Sequence, residues 1–149
     1  MELIDDVKQI NCQSSKDSIH QQVFFQNFQM PIQTEEDLVR VEKFLENEVN
    51  FKLSAQKIAR IGGHTPYEFV KRVFTKILSD DISVKYSWLG AKKKEVFSHL
   101  HLSRLIINAA GLNQATSSCS SKDLEEAIKN YLRRAKERLI TKNKGNSLL

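Results

Sequence analysis

The chain has 149 residues, a net charge of +5, 40% hydrophobic residues, and only five glycines and two prolines. That length fits one domain with tails, and so few turn-forming residues exclude a turn-rich all-β sandwich. The charge is uneven, because residues 1–37 hold seven acids and two lysines, whereas residues 38–149 hold 21 basic and 11 acidic residues. Such a basic body favours binding to a polyanion, most commonly nucleic acid, and charge that serves only solubility is the alternative.

The cysteines and the apolar residues indicate the cellular compartment of the protein. Cys12 and Cys119 lie far apart in polar segments and outside any metal-ligand spacing, which predicts a reduced intracellular compartment. There is no run of about 18 apolar residues, so we predict no membrane span. The acidic first residues lack the layout of a signal peptide.

Residues 1–30 predict a flexible acidic and polar N-terminal tail. They are rich in Asn, Gln and Ser and have little apolar surface at a fixed period, so the segment cannot easily offset its ordering entropy. Four apolar residues are exceptions: Val23, Phe24, Phe25 and Phe28. We expect them to dock on the chain's own domain, and a partner-binding peptide is the alternative.

Residues 31–141 predict an all-α domain, a compact bundle of five to seven helices. Thr34 is the expected N-cap of the first helix, which runs to about Asn47. A second helix starts near Phe51 and ends at the glycine pair 62–63, because glycine accepts the left-handed conformation that ends many helices.

The strongest helix start is Thr65-Pro66-Tyr67-Glu68. It combines an N-cap threonine, a proline at the first helical position and a glutamate that can close a capping box. The helix that follows runs to about Leu78 and has the cleanest apolar repeat of 3.6 residues in the chain. Asp80 is expected to cap a short helix that runs to about Tyr86 and is broken by residues 87–90.

Three further helical segments are predicted after the triple lysine at 92–94. They are a short helix over 93–98, a helix over 100–110 ended by Gly111, and a last helix from Lys122 to about Thr141, capped by Ser120 or Ser121. The last helix is acidic in its first turn and basic later, which suits the helix dipole. A disordered tail follows at 142–149. No β-alternation of convincing length and no internal repeat is visible.

No motif for catalysis, cofactor binding or metal binding is visible. His99 and His101 would point to different faces of a helix, and His64 follows a glycine pair in a turn. No GxSxG serine, Cys–His pair or phosphate-binding P-loop is present. We therefore expect no enzyme, no cofactor, no metal and no small-molecule substrate.

Two basic elements are candidate DNA contacts. The lysine loop follows an aromatic turn that could present it to phosphates, and the basic face of the last helix could approach a major groove. A solvated surface is the alternative for each. The candidate DNA-binding residues are Lys92, Lys93, Lys94, Lys129, Arg133, Arg134 and Lys136, and the structural turn residues are Gly62, Gly63, Trp88 and Gly90.

Several segments carry a likeness to known sequences. These are residues 30–38 with the pattern Pro-x-x-Thr-x-Glu-x-Leu, the Ile-Gly-Gly break at 61–63, residues 70–78, the Tyr-Ser-Trp-x-Gly-x-Lys run at 86–92, and Phe97, Leu102, Ile106 and Ile107. Together they resemble an uncharacterised domain family common in insect and other invertebrate proteins. The likeness covers about residues 30–140.

The order of a turn, a lysine-rich loop and a closing helix is also similar to the BEN domain. That resemblance implies an all-α module associated with double-stranded DNA, protein interaction and transcription regulation in chromatin, with the 90–94 loop and the last helix facing DNA. It implies a nuclear location, with the cytoplasm as a second compartment. The alternative function is protein interaction or homo-oligomerisation without nucleic acid, motivated by the apolar first and last helices and by Phe24, Phe25 and Phe28.

Overall fold

The computed structural model describes Phe25 and residues 27–147. Seven α-helices follow one another in these residues: α1 Glu35–Phe44, α2 Glu48–Ala59, α3 Pro66–Ile77, α4 Asp80–Ser83, α5 His101–Leu112, α6 Ser121–Arg133 and α7 Ala135–Ser147. Between α4 and α5 lie strand β1 Tyr86–Ser87, a 3₁₀ turn Ala91–Lys93, strand β2 Glu95–Val96 and a second 3₁₀ turn Phe97–His99. The predicted all-α class is therefore confirmed for the described part of the chain.

Helix α3 lies at the centre of the packing. Helix α2 packs against α5, α3 against α6, and α4 against α7. Five α3 side chains are fully buried: Phe69, Val70, Val73, Phe74 and Ile77. The apolar repeat that predicted a buried helix here is thus confirmed, because each of these positions faces another helix or the β1–β2 region.

The start of α3 follows from local chemistry. Thr65 Oγ1 accepts a hydrogen bond from the Glu68 backbone N–H at 3.1 Å, and Pro66 occupies the first turn. Glu68 Oε2 accepts from the His64 N–H at 3.4 Å rather than from Thr65. The predicted threonine cap is confirmed, and the reciprocal bond of the predicted capping box is displaced by one residue.

Two predicted helix boundaries around α4 and α5 are wrong. Ser79, rather than Asp80, caps α4, since its Oγ accepts from the Ile82 N–H at 3.4 Å. Gly111 lies inside α5, which ends at the cap residue Asn113. No atom crowds Gly111, so nothing forces the helix to stop there.

The predicted helix over 93–98 is wrong, because this segment pairs with β1. The Glu95 N–H donates to the Lys85 carbonyl at 2.9 Å, and the Ser98 N–H donates to the Trp88 carbonyl at 3.1 Å. The two strands run parallel and are two residues long. Strands this short leave no alternation to read in the sequence.

The predicted last helix is two helices. Helix α6 ends at Arg133, Arg134 has φ −93° and ψ 5°, and α7 continues to Ser147, beyond the end predicted at residue 141. Arg138 fixes the direction of α7. Its Nε donates to Asp80 Oδ1 at 2.9 Å, its Nη1 donates to the Tyr131 carbonyl at 2.8 Å, and its guanidinium lies 3.6 Å from the Tyr131 ring centroid.

The segment before α1 docks on the domain. Phe25 and Phe28 are partly buried against the core, and the rings of Phe28 and Phe44 meet edge to face with centroids 5.2 Å apart. Docking of these two residues on the chain's own body is therefore confirmed. Val23, Phe24 and the rest of residues 1–24 of the predicted 1–30 tail lie outside the described residues.

Helix α5 is capped by a side chain from α1. Its N-cap residue, Leu100, has no side-chain hydrogen bond to offer. Instead, Glu42 Oε1 accepts from the His101 N–H at 2.7 Å and Glu42 Oε2 accepts from the Leu102 N–H at 3.0 Å. A carboxylate at this end also complements the helix dipole.

Replacing Glu42 by Gln is expected to lower the free energy of unfolding by about 1–2 kcal/mol, because one α5 N–H loses its acceptor and the dipole loses its counter-charge. Urea denaturation followed by far-UV circular dichroism measures the change. Glu46→Gln is the matched control, since Glu42 and Glu46 line the same pocket on α1, and the His101 and Leu102 N–H groups donate to Glu42 and not to Glu46. Equal effects of the two variants would contradict the capping role.

Candidate nucleic-acid interface

A tight turn presents the lysine loop. Gly90 has φ 82°, and a Cβ at this position would come within 2.8 Å of Val96 Cγ2 and 3.1 Å of the Lys94 carbonyl oxygen. Only a glycine therefore lets the loop close against β2 in this form. Trp88, just before it, is partly buried and packs against Phe97 with ring centroids 6.5 Å apart. The turn is thus held by the core.

Two of the three lysines have unusual backbone conformations. Lys92 has φ 57° and Lys93 has φ 63°, a region that costs an L-residue about 1 kcal/mol or more. Lys92 and Lys93 are exposed and Lys94 is half-buried. Within the described residues, no carboxylate lies at ion-pair distance from any of the three. Their charges are therefore free to meet an external anion.

The lysine loop and α6 line one cleft. Its volume is about 330 Å³, and its cations are Lys92, Lys94, Lys129 and Arg133. No aspartate or glutamate belongs to the lining. We call this feature the lysine cleft. It joins two elements that are separated by about 35 residues in the sequence.

The α6 cations are held only by weak surface contacts. Lys129 Nζ lies 3.4 Å from Glu126 Oε1, and Arg133 Nη1 donates to Asn130 Oδ1 at 3.2 Å. Both partners are three residues earlier on the exposed face of the same helix. Pairs of this kind contribute little and exchange readily for a stronger anion.

The other three candidate DNA-binding residues do not line the lysine cleft. Lys93 is exposed and is not part of the lining, and Lys136 is exposed on α7. Arg134 lines a different cleft with Lys71 and Lys142, and its Nε lies 3.9 Å from Glu137 Oε2. The structure thus brings together four of the seven residues that the sequence predicted.

The interior below the cleft is aromatic. Tyr86 contacts Phe97 edge to face with centroids 6.1 Å apart, and Phe97 also contacts Phe74. Burial raises the pKa of Tyr86 to about 12, and the charges of nearby glutamates act in the same direction. The Tyr86 hydroxyl therefore stays neutral at physiological pH, and the positive charge of the cleft comes from its lysines and arginine.

Sequence reasoning missed the apolar part of the lysine cleft. Leu89 and Leu132 give the cleft an apolar lining beside its cations. A separate cleft of about 550 Å³ is lined by Arg60, at the end of α2, and by Glu68, Lys71, Arg72 and Lys76 of α3. The sequence signal for the apolar lining of the lysine cleft was Leu89, which lies between Trp88 and Gly90 in a turn where a polar residue is more usual.

The described residues contain neither a metal-binding cluster nor a helix suited to span a membrane. No group of three or more His, Cys, Asp and Glu side chains in this part of the chain is arranged to hold a metal ion. None of the helices in residues 27–147 has the length and apolar character needed to cross a membrane.

Fold and cleft together define a small helical domain with a cationic cleft. The profile of the family described as Domain of unknown function (DUF4806) matches residues 25–109, more than half of the chain, and the chain belongs to this family. The predicted membership of an uncharacterised domain family is confirmed at this level. The match is shorter than the likeness predicted over 30–140, and it includes the lysine loop but ends before α6. No significant match was found among curated proteins or solved structures.

Proposed function

We propose that this domain is a non-enzymatic nuclear module that binds duplex DNA through the lysine cleft and acts in chromatin. The observation that carries the proposal is the convergence of the lysine loop and α6 on one cleft with four cations and no carboxylate. Lysine and arginine side chains in such an arrangement contact phosphate oxygens and fix the orientation of a protein on DNA.

The backbone of the loop supports the same proposal. Lys92 and Lys93 have positive φ angles, which residues with a side chain rarely adopt, and they follow closely on the tight turn at Gly90. Strain of this kind concentrates at functional positions, where it holds groups in place before a ligand arrives. Preorganised cations lose less entropy on binding than free surface lysines do.

The resemblance to the BEN domain supports duplex DNA as the polyanion that the cleft binds. The turn, lysine loop and closing helix are similar in order to the BEN domain, whose members are associated with DNA binding and transcriptional repression. By this analogy an insect-type domain of the present family would regulate transcription in the nucleus. Lys93, Arg134 and Lys136 would then make peripheral phosphate contacts outside the cleft.

Duplex binding has a salt signature that tests the proposal. For four phosphate contacts, the logarithm of the association constant should fall with the logarithm of salt concentration with a slope of roughly −3.6, or roughly 10²-fold between 50 and 200 mM. Fluorescence anisotropy of a labelled short duplex measures this slope. Affinity that stays in the high-micromolar range at low salt would contradict the proposal.

One observation favours protein interaction as the second candidate. Leu89 is 73% exposed at the lysine cleft, and Val39 is 64% exposed on α1. Phe25 and Phe28, which suggested a partner-binding peptide, are instead packed on the domain. Light scattering across concentration separates the two candidates, because a dimer that ignores DNA would favour interaction and a DNA-binding monomer would count against it.

A further inference from the structure

The lysine cleft is apolar as well as cationic. Trp88, Leu89 and Leu132 line it between the four cations. Leu89 is the most exposed large hydrophobic residue of the described chain, at 73%. The Trp88 ring is partly buried and packs against Phe97 with ring centroids 6.5 Å apart, which restricts its orientation beside the cleft.

Phosphate binding alone does not account for this apolar lining. A duplex turns its charged phosphates outward and keeps its base faces stacked inside, so Trp88 and Leu89 would meet only the hydrophilic backbone. A ligand that satisfies the whole cleft carries a flat apolar surface directly beside anionic groups. Single-stranded nucleic acid has this chemistry, because each exposed base face lies next to a phosphate.

Ser87 has a buried hydroxyl that lacks a hydrogen-bond partner within the described residues. Its Oγ is buried in the wall of the cleft. A hydroxyl can donate and accept, and buried polar groups are ordinarily paired. Because this Oγ is enclosed, it supplies no contact to a ligand in the open cleft.

We infer that the lysine cleft receives an unstacked nucleobase against Trp88 and Leu89, with the flanking phosphates held by Lys92, Lys94, Lys129 and Arg133. The domain therefore prefers single-stranded nucleic acid, or a frayed duplex, over a phosphate chain without bases. This inference rests on the proposed nucleic-acid function and adds the part of the ligand that the cleft recognises.

An acidic peptide with an apolar side chain is the competing kind of ligand. Every peptide residue brings a backbone N–H and C=O that need partners when buried. Apart from its cations, the lining side chains that carry a polar group are those of Tyr86, Ser87 and Trp88, so the cleft offers a peptide backbone few partners. A nucleotide carries its polarity in the phosphate and the base edge, which fits this distribution better.

Three probes of equal phosphate number test the inference with the intact chain: an oligothymidylate, an abasic phosphodiester strand of the same length, and a duplex. Fluorescence anisotropy at fixed salt should show that oligothymidylate binds about 5- to 150-fold more tightly than the abasic strand, as expected for one stacked base. Equal affinity for these two strands would overturn the inference and leave duplex binding intact. Failure of all three probes to bind would overturn the proposed function as well.

A Leu89→Ser variant tests the same inference by changing the protein instead of the probe. It should weaken oligothymidylate binding severalfold and leave binding of the abasic strand unchanged. Val49→Ser is the matched control, because Val49 is 60% exposed on α2 and outside the cleft, and it should change neither. Trp88→Leu should lower oligothymidylate affinity further, and circular dichroism is the check that this variant is folded. An unchanged oligothymidylate affinity in Leu89→Ser would overturn the inference whatever happens to the tryptophan variant.

A synthetic peptide of alternating glutamate and leucine, matched in net charge to the abasic strand, tests the competing ligand. The inference expects it to displace oligothymidylate no better than the abasic strand does. Displacement at lower concentration than unlabelled oligothymidylate would overturn the inference in favour of a peptide partner.

Discussion

Replacing Lys92, Lys94, Lys129 and Arg133 together by glutamine is expected to weaken duplex binding by roughly 10²-fold at low salt and to reduce the salt slope by roughly 3 to 4. The reason is that these four side chains line one cleft without a carboxylate. Glutamine removes the charge and keeps an unbranched polar side chain, although a shorter one. At position 92 it must adopt the same left-handed backbone conformation as lysine does. Anisotropy titrations over a range of salt concentrations measure both quantities.

A control with the same change in net charge separates the cleft from diffuse attraction. Arg60, Lys71, Lys76 and Lys122 lie outside the lysine cleft, and none forms an ion pair within the described residues. Their replacement by glutamine should cost much less affinity than the cleft variant. Equal losses would mean that net charge alone attracts DNA, and the cleft assignment would be wrong.

A third variant compares the cleft with the wider set of residues predicted from the sequence. Lys93, Arg134 and Lys136 were predicted as DNA contacts and do not line the cleft. Their joint replacement by glutamine should therefore have a smaller effect per charge than the cleft variant. A larger effect would move the interface onto α7 and away from the loop.

Gly63→Ala is expected to lower the free energy of unfolding by about 3 kcal/mol or more, the largest effect on stability that we predict for a single methyl group. Gly63 has φ 151°, and a Cβ there would lie 2.6 Å from both the Cα and the backbone nitrogen of Phe69. Backbone atoms of a helix cannot move aside as a flexible side chain can. Phe69 is fully buried, so α3 as a whole would have to shift.

Gly111→Ala is the matched control for this prediction. Gly111 lies in α5 with nothing within 4 Å of an added Cβ, so alanine should raise the free energy of unfolding by about 0.5–1 kcal/mol through helix propensity. Urea denaturation compares the two variants at constant m value. A Gly63→Ala protein as stable as the wild type would contradict the close packing of the turn on α3.

The turn at Gly62 and Gly63 is also held from the far side. Asn113 Nδ2 donates to the Gly63 carbonyl at 3.0 Å and to Thr116 Oγ1 at 3.0 Å, and Thr116 Oγ1 donates to the Ala110 carbonyl at 2.6 Å. These bonds fasten the polar loop after α5 to the start of α3. A glycine stop visible in the sequence is therefore part of a fixed angle between helices.

The sequence by itself determined three helix starts and the central buried helix. It predicts Thr34, Thr65 and either Ser120 or Ser121 as caps, and Thr34, Thr65 and Ser120 each accept a hydrogen bond from the backbone N–H three residues later. The apolar repeat of α3 correctly predicted the residues of this helix that lie in the core. Such features are readable because a cap and a helical face depend only on residues within one or two turns.

The tertiary structure alone decided the contacts between distant segments. Glu42 caps α5 across 59 residues, and Arg138 reaches Asp80 across 58. The parallel pairing of β1 with β2 replaced a predicted helix for the same reason. A long-range partner leaves no periodic signal in a single sequence, because either residue taken alone reads as an ordinary surface charge or a short apolar run.

The candidate site shows the same division. The sequence identified its cations by type, since lysine runs and basic helix faces are visible in the chain. It could not show that Arg133 lines the cleft whereas Arg134 does not. That difference depends on the rotation of 100° per residue along α6 and on the break between α6 and α7. Nor could it place Leu89 beside Lys129, since only the packed fold brings the 86–94 turn against α6 and makes a cleft of them.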